Sequence, residues 1–433
     1  MIEILNIFAI SIIYSLIIFA PTSEKVFSFK FLRFDKISEF RLFFFLIVLN
    51  IIWFLSVLDL NLKFIISSVL FFYFIIFFLS LKKKLFFEKN YFFYLFFFSL
   101  VIFILAIDIS HNLFLYWDAQ KLWLPKALLF YNNETISNLG ETEYQHYSYL
   151  GSLFWAFFWK FFLVENEYVG RIFYITIFCF SIFNFLELFN FSKKKFLIAF
   201  LFFILLIYDY WHLRGYQEIL IFSFLLICSK YLFLILRENK SQIKNFVLFF
   251  LSLNLIIWIK NEGIIFSLIL NFLFILFLNR KAKFKFLLSL LFTSLIFIRF
   301  FIFKFYHLDY SISNDFNFYT IPQSIIENFN IKNIIYISKY LIISFFKFPH
   351  IFLSLFCALI IFFDKKLLRK CYFLYFYLLA SIILIFFIYL NSNQIYGLDF
   401  MVRTSLFRIV FELSPPYLLF ILILFKNIQL KIK

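Results

Sequence analysis

Glycine and proline are scarce in this sequence, with only 6 of each among 433 residues. A sandwich or barrel of short strands needs turn residues at regular intervals, so this composition excludes that class of fold. Charged residues make up only 15% of the chain, against about 25% in a soluble globular domain. The 4 cysteines lie in or beside apolar segments without the spacing of a metal site, and we expect them to be small core residues.

Apolar residues are what the chain has in excess: 64% of it is hydrophobic and the mean hydropathy is +0.96. No soluble core can bury that much apolar surface. Helices satisfy their own backbone hydrogen bonds inside lipid, where unpaired polar groups are costly. The sequence therefore predicts an all-α fold, a polytopic transmembrane helical bundle of about 11 to 13 spans in a single integral membrane domain over 1–433.

The apolar segments have the length of membrane spans, about 20 residues each. They predict helices at 2–20, 42–58, 62–81, 91–107, 168–190, 196–212, 216–236, 244–259, 263–279, 284–306, 349–363, 371–390 and 415–430. A further apolar stretch, 148–163, would place the next lysine run on the opposite side if it crossed the membrane completely. We therefore predict a re-entrant or juxtamembrane helix there.

The bases form short runs between the predicted helices, and the formal net charge is +17. The positive-inside rule places these runs in the cytoplasm, so their partner is an anionic leaflet rather than a nucleic acid. The runs are Lys82–Lys84, Lys193–Lys195, Arg237–Lys244, Arg280–Lys285, Lys365–Lys370 and the C-terminus from Lys426. Two long outer loops remain, 108–147 and 307–348, and in the second Lys332–Phe348 has the pattern of an interfacial helix.

The first long loop contains an acidic residue with aromatic and basic company. Asp118 is followed by Lys121 and Lys126 on a stretch that we predict to be helical. A carboxylate there can act as a general base or hold a metal ion, and a lysine can contact a phosphate. The alternative is that Asp118 only caps a surface helix.

Three further segments place ionisable residues at the same side of the predicted membrane. They contain His146, Arg214 with Glu218, and Lys260 with Glu262. A single charge at a helix end is commonly a solvated anchor, and a single histidine is commonly a hydrogen-bonding loop residue. Three carboxylates and two cations at one depth instead predict the rim of a polar cavity.

These segments resemble the GT-C superfamily of polytopic glycosyltransferases over most of the chain. Lys260-Asn261-Glu262-Gly263 is the most specific match, and Trp117-Asp118-Ala119 is similar to the family's acidic site in its first outer loop. The segment 146–152 looks like the family's start of an apolar helix without the usual prolines, and 214–218 looks like its second acidic site with Glu in place of Asp. The segment 403–408, before two prolines, resembles its arginine-bearing C-terminal outer loop.

The resemblance implies transfer of a sugar from a polyprenyl-phosphate-linked donor to a glycan, lipid or protein acceptor in one inverting displacement. It makes Asp118 and Glu218 the expected catalytic residues, with Asp118 deprotonating the acceptor. Phosphate contacts are expected from Lys260, Arg214 and Arg403. Glu218 and Glu262 would position the acceptor or a divalent metal ion, and the resemblance leaves open whether that metal is a cofactor. The expected substrate-binding residues are Lys126, His146, Arg214, Lys260, Glu262, Arg403 and Arg408.

Other classes of function compete with this hypothesis. A lipid-linked saccharide flippase or a solute permease also has many spans, although such proteins tend to show broken helices and polar groups near the membrane midplane. A polysaccharide polymerase or ligase would accept a lipid-linked chain. A two-carboxylate glycoside hydrolase has related chemistry but no need of a dozen spans, and a structural membrane protein leaves the one-sided acids unexplained.

Overall fold

A computed structural model of the chain describes residues 2–19, 37–82, 91–189, 191–209, 214–237, 243–279, 281–308, 321–391 and 397–432. Every regular element within these ranges is helical, which confirms the predicted all-α class. Parts of four predicted basic runs, at 83–84, 238–242, Arg280 and Lys433, lie outside the described residues, as do residues 309–320 of the second long loop.

The α-helices follow one another along the whole described chain. In chain order they are α1 Ile2–Ile18, α2 Ile37–Val57, α3 Leu62–Lys82, α4 Tyr91–His111, α5 Leu124–Tyr131, α6 Leu150–Phe161, α7 Tyr168–Leu186, α8 Lys193–Ile207, α9 Glu218–Arg237, α10 Ile243–Ile259, α11 Glu262–Phe277, α12 Ala282–Phe305, α13 Ile321–Asn328, α14 Ile331–Lys347, α15 Pro349–Phe363, α16 Lys365–Asn391, α17 Gly397–Leu413 and α18 Leu418–Ile432.

The described helices make this a multi-pass membrane protein. Seven of them are long and apolar enough to span a bilayer, and two bent pairs, α14 with α15 and α17 with α18, raise the number to nine. Three shorter apolar helices, α1, α10 and α11, fall below that length. Within the described residues, length and composition support seven to nine spans, beside the 11 to 13 predicted for the whole chain.

Several boundaries differ from the prediction because charged residues continue a helix rather than end it. The Lys365–Lys370 run, expected in a loop, forms the first turns of α16, and the expected outer loop 403–408 lies within α17. Lysine and arginine are good helix formers, and α17 ends at Leu413, just before Pro415 and Pro416.

The predicted short helix after the first long loop is α6. It has 12 residues, which give a length of about 18 Å. A bilayer core is about 30 Å thick, so α6 is too short to cross it, as the prediction of a re-entrant or juxtamembrane helix requires. Ten consecutive residues of α6 are buried, so the helix is enclosed by protein.

The chain divides into two compact units. The first unit is Met1–Phe185, Asp209–Ile264 and Leu295–Leu308, and the second is Leu186–Tyr208, Ile265–Ser294 and Asp309–Lys433. In the first unit α9 packs along α10, α1 along α4 and α5 against α6. In the second unit α14 packs on α17 and α15 on α18. The single domain over 1–433 stays a prediction.

The first long loop is folded against the first unit by its own polar residues. After α4 it forms a π-helical turn at Ala119–Trp123, then α5, then a short 3-10 helix at Ile136–Glu141. Ser137 donates from its amide (3.1 Å) and its hydroxyl (2.5 Å) to the carboxylate of Asp59, in the turn between α2 and α3. Burial raises the pKa of Asp59, but the hydrogen bonds from Ser137 and Thr135 outweigh it, and the net shift is downward.

Candidate functional site

Lys260 lies between two carboxylates in the first unit. Its Nζ is 3.2 Å from Oε1 of Glu218 and 3.5 Å from Oε1 of Glu262. The side chains of Lys260 and Glu218 are only 6% and 1% exposed, while that of Glu262 is 25% exposed. Glu218 and Glu262 are the first residues of α9 and α11, where the positive end of a helix dipole also favours a carboxylate.

The turn that presents these residues depends on a glycine. α10 ends at Ile259, and α11 begins only three residues later. A Cβ placed on Gly263 would lie 2.0 Å from the carbonyl oxygen of Ile256, so any other residue would push the two helix ends apart. The close approach of the Ile256 carbonyl oxygen therefore explains why a glycine follows Lys260-Asn261-Glu262.

Arg299 binds this turn from α12. Its side chain is almost fully buried, and Nη1 donates to the carbonyl oxygen of Lys260 at 3.2 Å and to that of Ile257. Nη2 donates to Oγ of Ser148 at 2.6 Å and to Oδ1 of Asn261. One guanidinium therefore joins the turn after α10 to the segment before α6.

Gln217 makes the second connection to α6. In the amide orientation that satisfies both of its polar atoms, Gln217 donates to the carbonyl oxygen of Ile259 at 2.8 Å and accepts from the amide of Ser152 at 3.1 Å. The residue before Glu218 thus holds together the end of α10 and the start of α6.

Asp118 lies directly before the π-helical turn, half-buried. Its side chain makes no capping hydrogen bond to that turn, which counts against the alternative that it only caps a surface helix. The surrounding stretch is helical, as predicted, and π-helical turns are frequent at functional sites.

Arg214 lies beside the segment that contains Asp118. Its guanidinium stacks on the rings of Tyr116 (4.9 Å) and Phe114 (5.6 Å), and its carbonyl oxygen accepts from the amide of Tyr116 at 3.2 Å. Gly215 has φ of +84°, and a Cβ there would lie 2.8 Å from that of Ala119. The backbone conformation and the close approach both require glycine, so the Arg214-Gly215 pair fits closely against the residues flanking Asp118.

Lys126 and His146 are both buried in the first unit. Nζ of Lys126 donates to the carbonyl oxygen of Tyr147 at 2.5 Å, which links α5 to the segment before α6. Burial lowers the pKa of Lys126 well below its ordinary value, and the guanidinium of Arg299 lowers it further. His146 packs against the ring of Tyr147 at 4.6 Å.

The predicted residues of the C-terminal segment belong to the second unit. Arg403 is on the exposed side of α17, with its Nε 2.9 Å from Oδ1 of Asp399 and 3.3 Å from the hydroxyl of Tyr336. Arg408 is half-buried one turn further along. The other seven predicted site residues all lie in the first unit.

Sequence reasoning missed Arg299, which contacts two of the four segments. It lies in the run Leu295-Ile296-Phe297-Ile298-Arg299-Phe300, inside a predicted span. An ionisable residue in such a run is a functional candidate by default, and this signal was sufficient to find it.

The carboxylates that we considered as metal ligands do not form a metal site as placed. Lys260 supplies the positive charge between Glu218 and Glu262. Among the residues that the structure describes, no group of three or more His, Cys, Asp and Glu side chains is placed to hold a metal ion.

Comparison with known proteins gives no relative: no family model, no curated protein and no solved structure matches the chain.

Proposed function

We propose that this multi-pass membrane protein is a glycosyltransferase that moves a sugar from a polyprenyl-phosphate-linked donor to an acceptor at the outer face of a bacterial inner membrane. The observation that carries the proposal is the convergence of four segments far apart in sequence. Arg214 bonds to Tyr116, Lys126 to Tyr147, Lys260 to Glu218, and Arg299 to both Ser148 and Asn261.

The arrangement suits a displacement at an anomeric carbon. Asp118 would take the proton of the acceptor hydroxyl, while the oxygen of that hydroxyl forms the new bond to the anomeric carbon. The bond from the carbon to the phosphate oxygen breaks, and the phosphate leaves with the electron pair. Arg214, whose guanidinium stacks on the rings of Phe114 and Tyr116 just before Asp118 in the chain, and Lys260 would stabilise the developing negative charge.

An apolar cavity in the same unit suits a donor with a lipid tail. It has a volume of about 210 Å³ and lies between α1, α2, α3 and α6, with Ile13, Val48, Tyr73, Phe157 and Phe161 among its lining residues. α6 begins beside Arg299 and Gln217, which bind Ser148 and Ser152. It ends at this cavity, a distance of about 15 Å along the helix. One short helix thus connects a polar site to an apolar one.

The test compares sugar transfer by membranes that contain equal amounts of the wild type, Asp118→Asn and Glu143→Gln. Glu143 is an exposed acid of the same loop, and it controls for the loss of one negative charge. With radiolabelled polyprenyl-phosphate sugars as donors, we expect Asp118→Asn to lose about a hundredfold or more, as removal of a general base does. Glu143→Gln should label the acceptor as the wild type does.

Two results would count against the proposal in different ways. Equal labelling by the wild type and Asp118→Asn would remove Asp118 from catalysis and leave the transferase activity. Absence of labelling across a broad donor panel would reject the transferase and favour the flippase or permease. Transfer of whole lipid-linked chains instead of single sugars would identify the polymerase or ligase.

The second unit contains an observation that favours the transporter. α14 and α15 meet at an angle of 100° and α17 and α18 at 44°, so two helices are broken in one unit. The breaks are joined by a buried hydrogen bond of 2.9 Å between His350 Nε2 and Ser414 Oγ. Broken helices with polar groups at the break are typical of transporters. Uptake of a lipid-linked saccharide by vesicles that contain the protein, without labelling of an acceptor, would support that function.

A further inference from the structure

The helix α14 has an apolar stripe on its exposed side. Ile331, Ile335, Ile342 and Phe346 are 77%, 63%, 55% and 66% exposed. Their spacing of 4, 7 and 4 residues places them within an arc of about 60° around the helix axis. They form a continuous stripe along the helix rather than scattered surface residues.

The opposite side of α14 is packed within the second unit. Ile337, Leu341 and Ser344 are buried there. The helix is also held to α17 by the hydroxyl of Tyr336, which donates to the carboxylate of Asp399. The exposed stripe therefore faces away from the protein by a fixed rotation of the helix.

Two lysines run along one edge of the stripe. Lys332 and Lys339 are exposed, and they lie about 20 to 40° beyond the edge of the stripe around the helix axis. The third lysine, Lys347, is engaged elsewhere, because its Nζ lies 3.8 Å from the ring centroid of Phe407. A stripe of apolar residues with lysines at its edge matches an interface in which acyl chains meet anionic headgroups.

The bend between α14 and α15 also indicates that α14 lies along the membrane surface. α14 turns by 100° into α15, an apolar helix that begins at Pro349. Two helices at 100° cannot both run along the bilayer normal, and the lysines beside its apolar stripe assign the surface position to α14. Most of the exposed large side chains of α15, such as Phe352, Phe356 and Phe363, are also apolar, so the apolar surface continues from one helix to the next.

We propose that α14 is a docking surface for an anionic bilayer, with its stripe in the acyl boundary and Lys332 and Lys339 at phosphate headgroups. The stripe sets the depth of the helix, and the two lysines set its preference for anionic lipid. The proposal does not depend on the catalytic function.

The first experiment measures the depth of α14 in the full-length protein. A nitroxide is attached at Ile342→Cys, at Phe356→Cys as a membrane-buried control and at Glu141→Cys as an aqueous control, in nanodiscs that contain phosphatidylglycerol. The four natural cysteines are buried, and labelled wild type gives their background. We expect the label at 342 to be accessible to oxygen and protected from a water-soluble nickel chelate, as at 356 but less deeply. Ile335→Cys repeats the test if the first variant fails to fold.

The second experiment tests the role of charge at the same position. Omission of phosphatidylglycerol should make the label at 342 shallower, by about fivefold in relative nickel accessibility per lysine. Lys332→Gln/Lys339→Gln should abolish that response, while Lys193→Gln/Lys194→Gln, the same charge change on α8, should retain it. Nickel access at 342 equal to that at 141 would overturn the proposal. Protection from both oxygen and nickel would also overturn it, because a protein partner would then cover the helix. So would an accessibility that does not change when phosphatidylglycerol is omitted.

Discussion

Lys260 and Arg403 are both cations paired with carboxylates, and they differ mainly in burial. Lys260 and Glu218 are 6% and 1% exposed, whereas Arg403 and Asp399 are 59% and 61% exposed. The first pair joins residues 42 positions apart in sequence, and the second joins residues one turn apart on the same helix. The buried pair therefore fixes tertiary structure, while the exposed pair follows from helix geometry alone.

The difference in burial shows that two residues predicted from motifs can differ in their contribution to folding. Both cations matched a motif, but water screens an exposed pair and contributes to its solvation, so the pair adds little to folding. A buried pair leaves an uncompensated charge when one partner is removed. The three predictions below test this comparison through stability first and through substrate binding last.

Lys260→Met should produce the largest loss of stability, because it leaves Glu218 charged and buried. We expect the free energy of unfolding to fall by about 3 to 5 kcal/mol, measured by SDS titration of the full-length protein in mixed micelles. The double variant Lys260→Met/Glu218→Gln removes both charges and should recover part of the loss.

Two results would contradict the buried pair. Wild-type stability of Lys260→Met would show that Glu218 is solvated or has another strong partner. Equal losses in the single and double variants would show that the methionine disturbs packing, not charge. Lys260→Arg keeps the charge but changes its shape, and it serves as the matched variant for packing.

Arg299→Gln should change the pH dependence of stability through Lys126. In the wild type, burial and the charge of Arg299 hold the pKa of Lys126 below its ordinary value of 10.5. Between the folded pKa and 10.5 the unfolded chain binds one more proton than the folded protein, so stability rises with pH in that window. Loss of the Arg299 charge raises the pKa of Lys126 in the folded protein. The pH range over which stability rises therefore begins at a higher pH and becomes narrower.

The measurement is the slope of the unfolding free energy against pH, from the lowest pH at which the protein stays folded up to 10.5. Arg299→Gln should show a later and smaller rise than the wild type, in addition to a constant loss from its broken hydrogen bonds. Lys126→Met removes the titrating group, and it should show neither this rise nor a response to Arg299→Gln. A wild-type slope retained in Lys126→Met would assign the titration to another group.

The sequence predicted the helical class because the apolar runs have no other way to satisfy their backbone in lipid. It also identified the four segments that converge in the first unit, since each places charge at the end of an apolar run. It missed α17, because Arg403 and Arg408 were interpreted as loop residues although arginine is compatible with a helix. It missed the partners of Arg299, Ser148 and Asn261, because hydrogen bonds across 151 and 38 positions leave no local pattern.

Arg403→Gln should have the smallest effect on folding, with no measurable change in the SDS midpoint, because both partners of the pair are exposed. If Arg403 also contacts the donor phosphate, as the glycosyltransferase hypothesis expects, the same variant should raise KM for the donor about tenfold with kcat unchanged, since a contact made equally in the ground and transition states affects binding alone. Asp399→Asn is the matched control: it breaks the pair but keeps the arginine, and its KM should stay at or below the wild-type value. A raised KM in both variants would mean that the pair acts by holding α14 against α17, and an unchanged KM in Arg403→Gln would remove this arginine from the substrate site.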